Sequence, residues 1–428
     1  MALVSLSSLV AEDSWPCFRG PGRDGHAITI GTIAAWPKEG PALAWKSTEC
    51  GQGYAGVVVS GRTLVTAGVV EDETRVMAFG PDGKLLWRQA NGPGAWKPEP
   101  GKRKWATGYG GSRATPTIAD GTVYHLGHAG RLAAYRLADG TPLWHRNLDQ
   151  DFLGRPNEWG YSESVLVADG VLYCQPGGAQ AQITALDAND GKERWRCAGI
   201  LDEARKVPDT ASNASGNLIE IAGVRQFVTM MTRNVVGVEA ATGRLLWTHR
   251  HANQFAENCE IPQLVHGILW VSSGYRHGSE GYRITRADDG AFSVNQVWRE
   301  GIADNLHGGP IAIDGFLYGA GYDHAGAWCL ELASGALRWR DPAFRRSSFL
   351  RVGSQVIILG ENGSIQLCTP SPDPQKRLQY QAGFSLPGKG LCLTHPMWCA
   401  GRLYLRRGME LFCYELSALD KPGPESKP

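Results

Sequence analysis

The sequence predicts an all-β protein: a single eight-bladed β-propeller of four-stranded antiparallel blades, its ring closed by an N-terminal strand. Two repeating marks and the two chain ends predict it. The first mark is a small polar residue, Gly, a few residues, then Trp. It reads GPDGKLLW ending at Trp87, ADGTPLW at Trp144, NDGKERW at Trp195, ATGRLLW at Trp247, DDGAFSVNQVW at Trp298 and SGALRW at Trp339. The period of roughly 40 to 57 residues is that of propeller and solenoid repeats. The second mark is an X-Gly pair between two apolar, β-branched runs, the signal of a tight hairpin. The pairs are Ser60-Gly61, Asp120-Gly121, Asp169-Gly170, Ala222-Gly223, His266-Gly267, Asp314-Gly315, Val352-Gly353 and Ala400-Gly401, which makes eight.

Each repeat then reads strand, tight turn, strand, loop, strand, tight turn, strand, which is one blade. Residues 1–40 are expected to be a leader and arm outside the ring, dispensable for folding. Within them, MALVSLSSLVA (1–11) is apolar and rich in small residues, like the later part of a secretory signal, but has no basic n-region. An orphan strand follows at Leu43-Ala44-Trp45-Lys46. The last repeat has three strands and stops after LFCYEL. Pairing of Leu43–Lys46 with Leu411–Tyr414 completes that blade and leaves no exposed sheet edge at the seam. The seventh blade is degenerate, with Tyr380 where Trp is expected. The propeller spans 41–416 as one domain, and 417–428 is expected to be a disordered tail. No helical period persists long enough to predict a helix. The repeat tryptophans are read as inter-blade packing groups, not as a cofactor cage.

Lys and Arg number 43 against 42 Asp and Glu, with no long basic run, which argues against a nucleic-acid partner. No run of about 18 apolar residues predicts a transmembrane helix. The ten cysteines form no C-x-x-C pair. Cys329, Cys368 and Cys413 fall at similar places in successive third strands, which suggests buried thiols acting as small hydrophobes. Their spacing does not suit structural zinc. A monomer is expected.

In this topology the tight turns share one face of the disc and the longer connections the other. The unusual sequence lies in the longer connections: NGPGAWKPEPGKRKWATGYGG, DQDFLGRPNEWGYSES, DEARKVPDTASNASG, SSGYRHGSEGY and GAGYDHAGAW. Function concentrates on loops held by a rigid scaffold, so the site is expected on this face, around the axis. The opposite face carries turns too short to build a pocket. Candidate binding-face residues are Trp96, Trp105, Tyr109, Arg113, Trp159 and Glu260. Further polar residues at inner-strand starts are Glu163, Asn213, Asn258, Asn305, His307 and His395. Glu163 and Glu260 are candidates for an acid/base pair. His307, with His277 and His324 on loops, is a candidate metal-ligand set without diagnostic spacing. No G-x-S-x-G, P-loop or H-E-x-x-H motif occurs.

ALDANDGKERW, with AYRLADGTPLW and GVEAATGRLLW, resembles the repeat of the pyrroloquinoline-quinone-like β-propellers, across at least six of the eight blades. The opening WPCFRGPGRDG, followed by GPALAWKS, is similar to the start of exported bacterial propellers of that superfamily, often labelled BamB-like or alcohol dehydrogenase. The resemblance implies an eight-bladed ring and export, periplasmic in a bacterium, with a cytoplasmic location as the alternative. In the quinoprotein dehydrogenases a Glu and an Asn ligate calcium beside the quinone (PQQ) and an Asp acts as base. Onto this chain that carries Glu163, Asn213 or Asn258, and Asp304, with Asn305 and His307 nearby. The adjacent Cys-Cys pair of those enzymes and the haem-attachment C-x-x-C-H are both missing. Two functions follow. One is a binding or scaffold propeller presenting its long-loop face to a protein or glycan. The other is a quinone- or metal-dependent oxidoreductase with its site on the channel.

Overall fold

The computed structural model describes residues 14–27, 32–94, 110–323 and 326–416. The leader 1–11, Trp96, Trp105, Tyr109, His324 and the tail 417–428 lie outside the described residues. Eight antiparallel sheets, each carrying four blade strands, surround one axis. Their inner strands are Val58–Ser60, Thr117–Ala119, Leu166–Ala168, Asn217–Ile221, Gln263–Val265, Ile311–Ile313, Ser347–Val352 and Met397–Cys399, which define blades 1 to 8 in order.

The tight turns follow from the X-Gly pairs. In six blades both central residues have positive φ, as at Asp120 (47°) and Gly121 (72°), the type I′ arrangement that matches strand twist. In blades 1 and 7 the pairing places Gly61 and Gly353 first in the turn, and their neighbours Ser60 and Val352 remain in the strand. Among the described residues there is also one short helix, Leu148–Phe152, capped by the Asn147 side chain. The sequence shows no helical period there because five residues are too few to set one.

The ring closes as expected. Ala42–Ser47 pairs antiparallel with Glu410–Glu415, with Leu43 opposite Tyr414 and Lys46 opposite Phe412. Arg406 staples the seam. Its buried guanidinium donates to the carbonyls of Cys50, Gly51, Ala55 and Ala67 in or before blade 1.

The Trp phrase works across blades. The indole of Trp144 covers the turn of blade 3, where a Cβ on Gly191 would stand 2.6 Å from the ring. Its Nε1 donates to the Ala188 carbonyl at 2.8 Å. Trp45, Trp87, Trp195, Trp298 and Trp339 make the same kind of bond to the next blade, at Pro81, Leu137, Ala240, Leu332 and Ser371. Trp247 differs and donates to Gln226 of its own blade. The next turn, at Gly290, lies eight residues before its Trp rather than four, too far out for the indole to cover. Tyr380 holds the Trp position opposite Cys368, yet is 63% exposed. In blade 8 the third strand, Glu410–Glu415, and the fourth, Ala42–Ser47, come from distant parts of the chain, so no hairpin turn joins them for this residue to cover. Cys329, Cys368 and Cys413 are fully buried, each opposite the Trp position of its blade. None of the ten cysteines is in a disulfide.

The arm is not outside the ring. Ser14-Trp15 adds antiparallel to the inner edge of blade 1, and His26-Ala27 adds parallel to that of blade 7. Between them the chain runs up the axis from the tight-turn face to Phe18 and Arg19, then turns back through Gly20-Pro21-Gly22. Phe18 meets the His395 ring at 5.0 Å. Arg19 and Arg23 are buried in the left-handed region, at φ 63° and 54°. Such backbone persists only where surrounding contacts fix it. Residues 14–27 are a plug in the central channel, so over this stretch the arm expected outside the ring lies within it.

Candidate functional site

The plug decides which polar groups remain for function. Arg19 Nη1 lies 3.5 Å from Glu260 Oε2, and its Nη2 donates to the carbonyls of Asp24 and Pro310, both at 2.8 Å. Gly309 passes beneath, where a Cβ would collide with Arg19 Nη1 at 1.8 Å. The Gly309 N–H donates to Glu260 Oε1 at 3.0 Å. Arg23 donates to the carbonyls of Ser164 at 2.8 Å and Val165 at 3.4 Å, next to Glu163. Gln263 donates to the Arg23 carbonyl at 2.7 Å. The two carboxylates expected as an acid/base pair thus face the plug arginines. Burial pushes the Glu260 carboxyl up against the attraction of Arg19.

Glu163 is also buried. Its Oε2 accepts from the Gln175 N–H at 2.7 Å, and its Oε1 has no hydrogen-bond partner. Burial outweighs that bond and the nearby Arg23, and lifts the carboxyl to about 8 from an ordinary 4.5. The folded chain keeps a proton that the unfolded chain releases, so this group's stabilisation is full below about pH 4.5 and is lost as pH rises through about 8. Glu163→Gln should therefore raise the melting temperature at pH 8.5 and change it little at pH 4. An equal shift at both pH values would contradict this.

The other axial candidates are built into the scaffold. Asn258 donates to the carbonyls of Met231 at 2.8 Å and His251 at 3.2 Å, and accepts from Ser273 at 2.9 Å. The Asp304 carboxylate accepts from the N–H groups of Tyr322 and Asp323. Asn305 joins the Ala320 carbonyl to the Gly308 N–H. The backbone groups at Met231, His251, Ala320, Tyr322 and Asp323 lie at strand ends and in the long loops, and such groups need partners once buried. These side chains supply them.

What stays open is a funnel of about 350 Å³ on the long-loop face, floored by Phe18. Of the sequence candidates, Arg113, Trp159, Asn213, His307 and His395 line it. Arg113 donates to the Trp159 carbonyl at 2.6 Å and to His128 Nε2 at 2.9 Å. Burial, then the Arg113 charge, lowers His128 to about 4, so it is neutral near pH 7. The opposite wall is aromatic. Phe255 meets Tyr275 at 4.5 Å, Tyr275 meets Tyr322 at 5.1 Å, and the Arg346 guanidinium stacks 4.2 Å above Tyr322. Tyr275 donates to Glu257 Oε2 at 2.6 Å, and His307 Nε2 lies 3.4 Å from Glu361.

Sequence reasoning missed this wall. A signal existed: Gly274-Tyr275-Arg276-His277 and Gly321-Tyr322-Asp323-His324 repeat one phrase at the same point of successive blades. The opposite face is also corrected. It carries a cavity of about 440 Å³ between blades 4 to 6 and the plug, lined by Pro21, Asp24, His26, Asn217, Glu220 and Gln263. The turns alone are too short to enclose it; the plug supplies the missing wall. No helix among the described residues is long and apolar enough to cross a membrane.

A family model described as outer membrane protein assembly factor BamB matches residues 72–341. No curated protein sequence is significantly similar to the chain. Among solved structures, BamB from Moraxella catarrhalis is 13% identical with a TM-score of 0.54, over 82% of this chain and 95% of that one. A quinohemoprotein alcohol dehydrogenase from Comamonas testosteroni is 13% identical with a TM-score of 0.59, over 98% and 83%. The quinohemoprotein alcohol dehydrogenase ADHIIG from Pseudomonas putida HK5 is 13% identical with a TM-score of 0.60, over 99% and 84%. Such likenesses show the fold alone.

Proposed function

Given that the chain belongs to the family of outer membrane protein assembly factor BamB, we propose that it is an exported binding module which takes a protein segment or a glycan into its long-loop funnel. The aromatic wall of Phe255, Tyr275 and Tyr322, faced by Arg113, Arg346, Glu257 and Glu361, carries this reading. Aromatic faces and fixed charges recognise by contact and need no reactive group. Family membership supports export and a protein partner.

A quinone with calcium fits the same axis poorly. Calcium takes six to eight oxygen ligands. Asn258 and Asp304 hold backbone and side-chain partners of the scaffold, and Glu163 is buried beside Arg23. Only Asn213 of that set lines the funnel.

The test is capture from envelope extracts and on a glycan array. Phe255 is 41% exposed, so Phe255→Ala should leave the melting temperature nearly unchanged. With Tyr275→Ala, it should weaken capture at least about tenfold, the loss expected of an aromatic anchor. Undiminished capture by both variants would overturn the proposal. So would one-to-one uptake of pyrroloquinoline quinone with calcium in a calorimeter.

A further inference from the structure

Blades 4 and 5 meet at three side chains, one of which, His277, the sequence offers as a metal-ligand candidate in a different set, with His307 and His324. His251 directly follows the outer strand of blade 4, Leu245–Arg250, and is fully buried. His277 lies on the loop entering the third strand of blade 5, and Glu280 lies on that strand. One ligand atom from each lies within 4.8 Å of the other two. His277 Nε2 is 3.5 Å from Glu280 Oε1. Two ligands of a tetrahedral zinc ion, bound at about 2.0 to 2.1 Å, stand roughly 3.3 to 3.4 Å apart.

The hydrogen bonding points the same way. His251 Nδ1 is 2.6 Å from Glu280 Oε2 and His277 Nε2 faces Oε1, so one nitrogen of each imidazole converges on this carboxylate. Nε2 of His277 is buried without a hydrogen-bond partner. The two rings meet edge to face with centroids 4.3 Å apart. Tyr282 donates to Glu280 as well. Arg299 Nε stands 3.4 Å from Glu280 Oε1 but is 53% exposed, so it can turn out to water.

We infer that His251, His277 and Glu280 form a binding site for a divalent transition metal of the zinc class. Two imidazoles and a carboxylate suit zinc and leave a fourth position for water. The ion would clamp two loops of the funnel. After His251 comes Asn253, whose amide donates to the Glu257 carbonyl and to Ser273. Before His277 comes Tyr275, which donates to Glu257. The site stands whether or not the funnel takes the partner proposed above, because its readout is the metal itself.

The experiment uses the full chain, dialysed against a chelator and titrated with zinc chloride, then with cobalt chloride for spectroscopy. One zinc per chain is expected by native mass spectrometry, with a rise in melting temperature. Cobalt should give visible tetrahedral bands without a near-ultraviolet thiolate band. His277 sits on a loop and is partly exposed, so His277→Ala should fold. It should weaken zinc at least about tenfold and remove the temperature rise. Glu280→Gln should do the same. Absence of stoichiometric zinc, affinity unchanged in His277→Ala, or a thiolate band would each overturn the site.

Discussion

Arg19→Ala is expected to destabilise the protein by about 3–5 kcal/mol, the loss on stripping one partner from a buried ion pair. Glu260 would keep the Gly309 N–H and lose its cation at 2% exposure. The carbonyls of Asp24 and Pro310 would lose their shared donor. Denaturant unfolding measures this, and Arg19→Ala with Glu260→Gln should recover part of it, because no bare carboxylate remains. Deletion through Ala27 should cost more, since Arg23 and both added strands leave together. A loss below about 1 kcal/mol for Arg19→Ala, the scale of an exposed pair, would mean that the plug is not seated in the channel.

The second large effect is in the ring. Trp195→Ala should cost roughly 3–5 kcal/mol, the range for emptying a large aromatic core site. Trp195 is 9% exposed, donates to the Ala240 carbonyl at 3.0 Å and covers Gly243 of the next blade. Tyr380→Ala, at the equivalent position of blade 7 but 63% exposed, should shift stability by less than about 0.5 kcal/mol. Thermal unfolding of the two variants side by side decides it. Similar shifts would contradict the cross-blade role of the Trp phrase.

The blades were legible because each repeats its constraints. A Gly with positive φ before a Trp, and an X-Gly pair between β-branched runs, recur often enough to count. Pairing of Leu43 with Tyr414 followed from one strand too many at the start and one too few at the end. The plug was not legible, because it occurs once. WPCFRGPGRDG reads as a loop by composition, and only the ring around it shows that Arg19 and Arg23 have buried partners. The same blindness affected the candidate site. Sequence places Glu163, Glu260, Asn258 and Asp304 near the axis but cannot say whether their oxygens face the funnel or the scaffold. Tyr275 and Tyr322 were legible in principle from their repeated Gly-Tyr-x-His phrase. Their contact depends on the packing of blades 5 and 6, which no local pattern encodes.

The central claim is that the long-loop funnel is the working surface. It is tested most directly by a photo-crosslinking residue placed at Trp159 in one protein and at Asp169, on the tight-turn face, in another, each exposed to envelope extract. A saturable adduct at position 159 that is lost with Tyr275→Ala, and none at 169, is the predicted result. An adduct formed only at 169, or one at 159 indifferent to Tyr275→Ala, would contradict it.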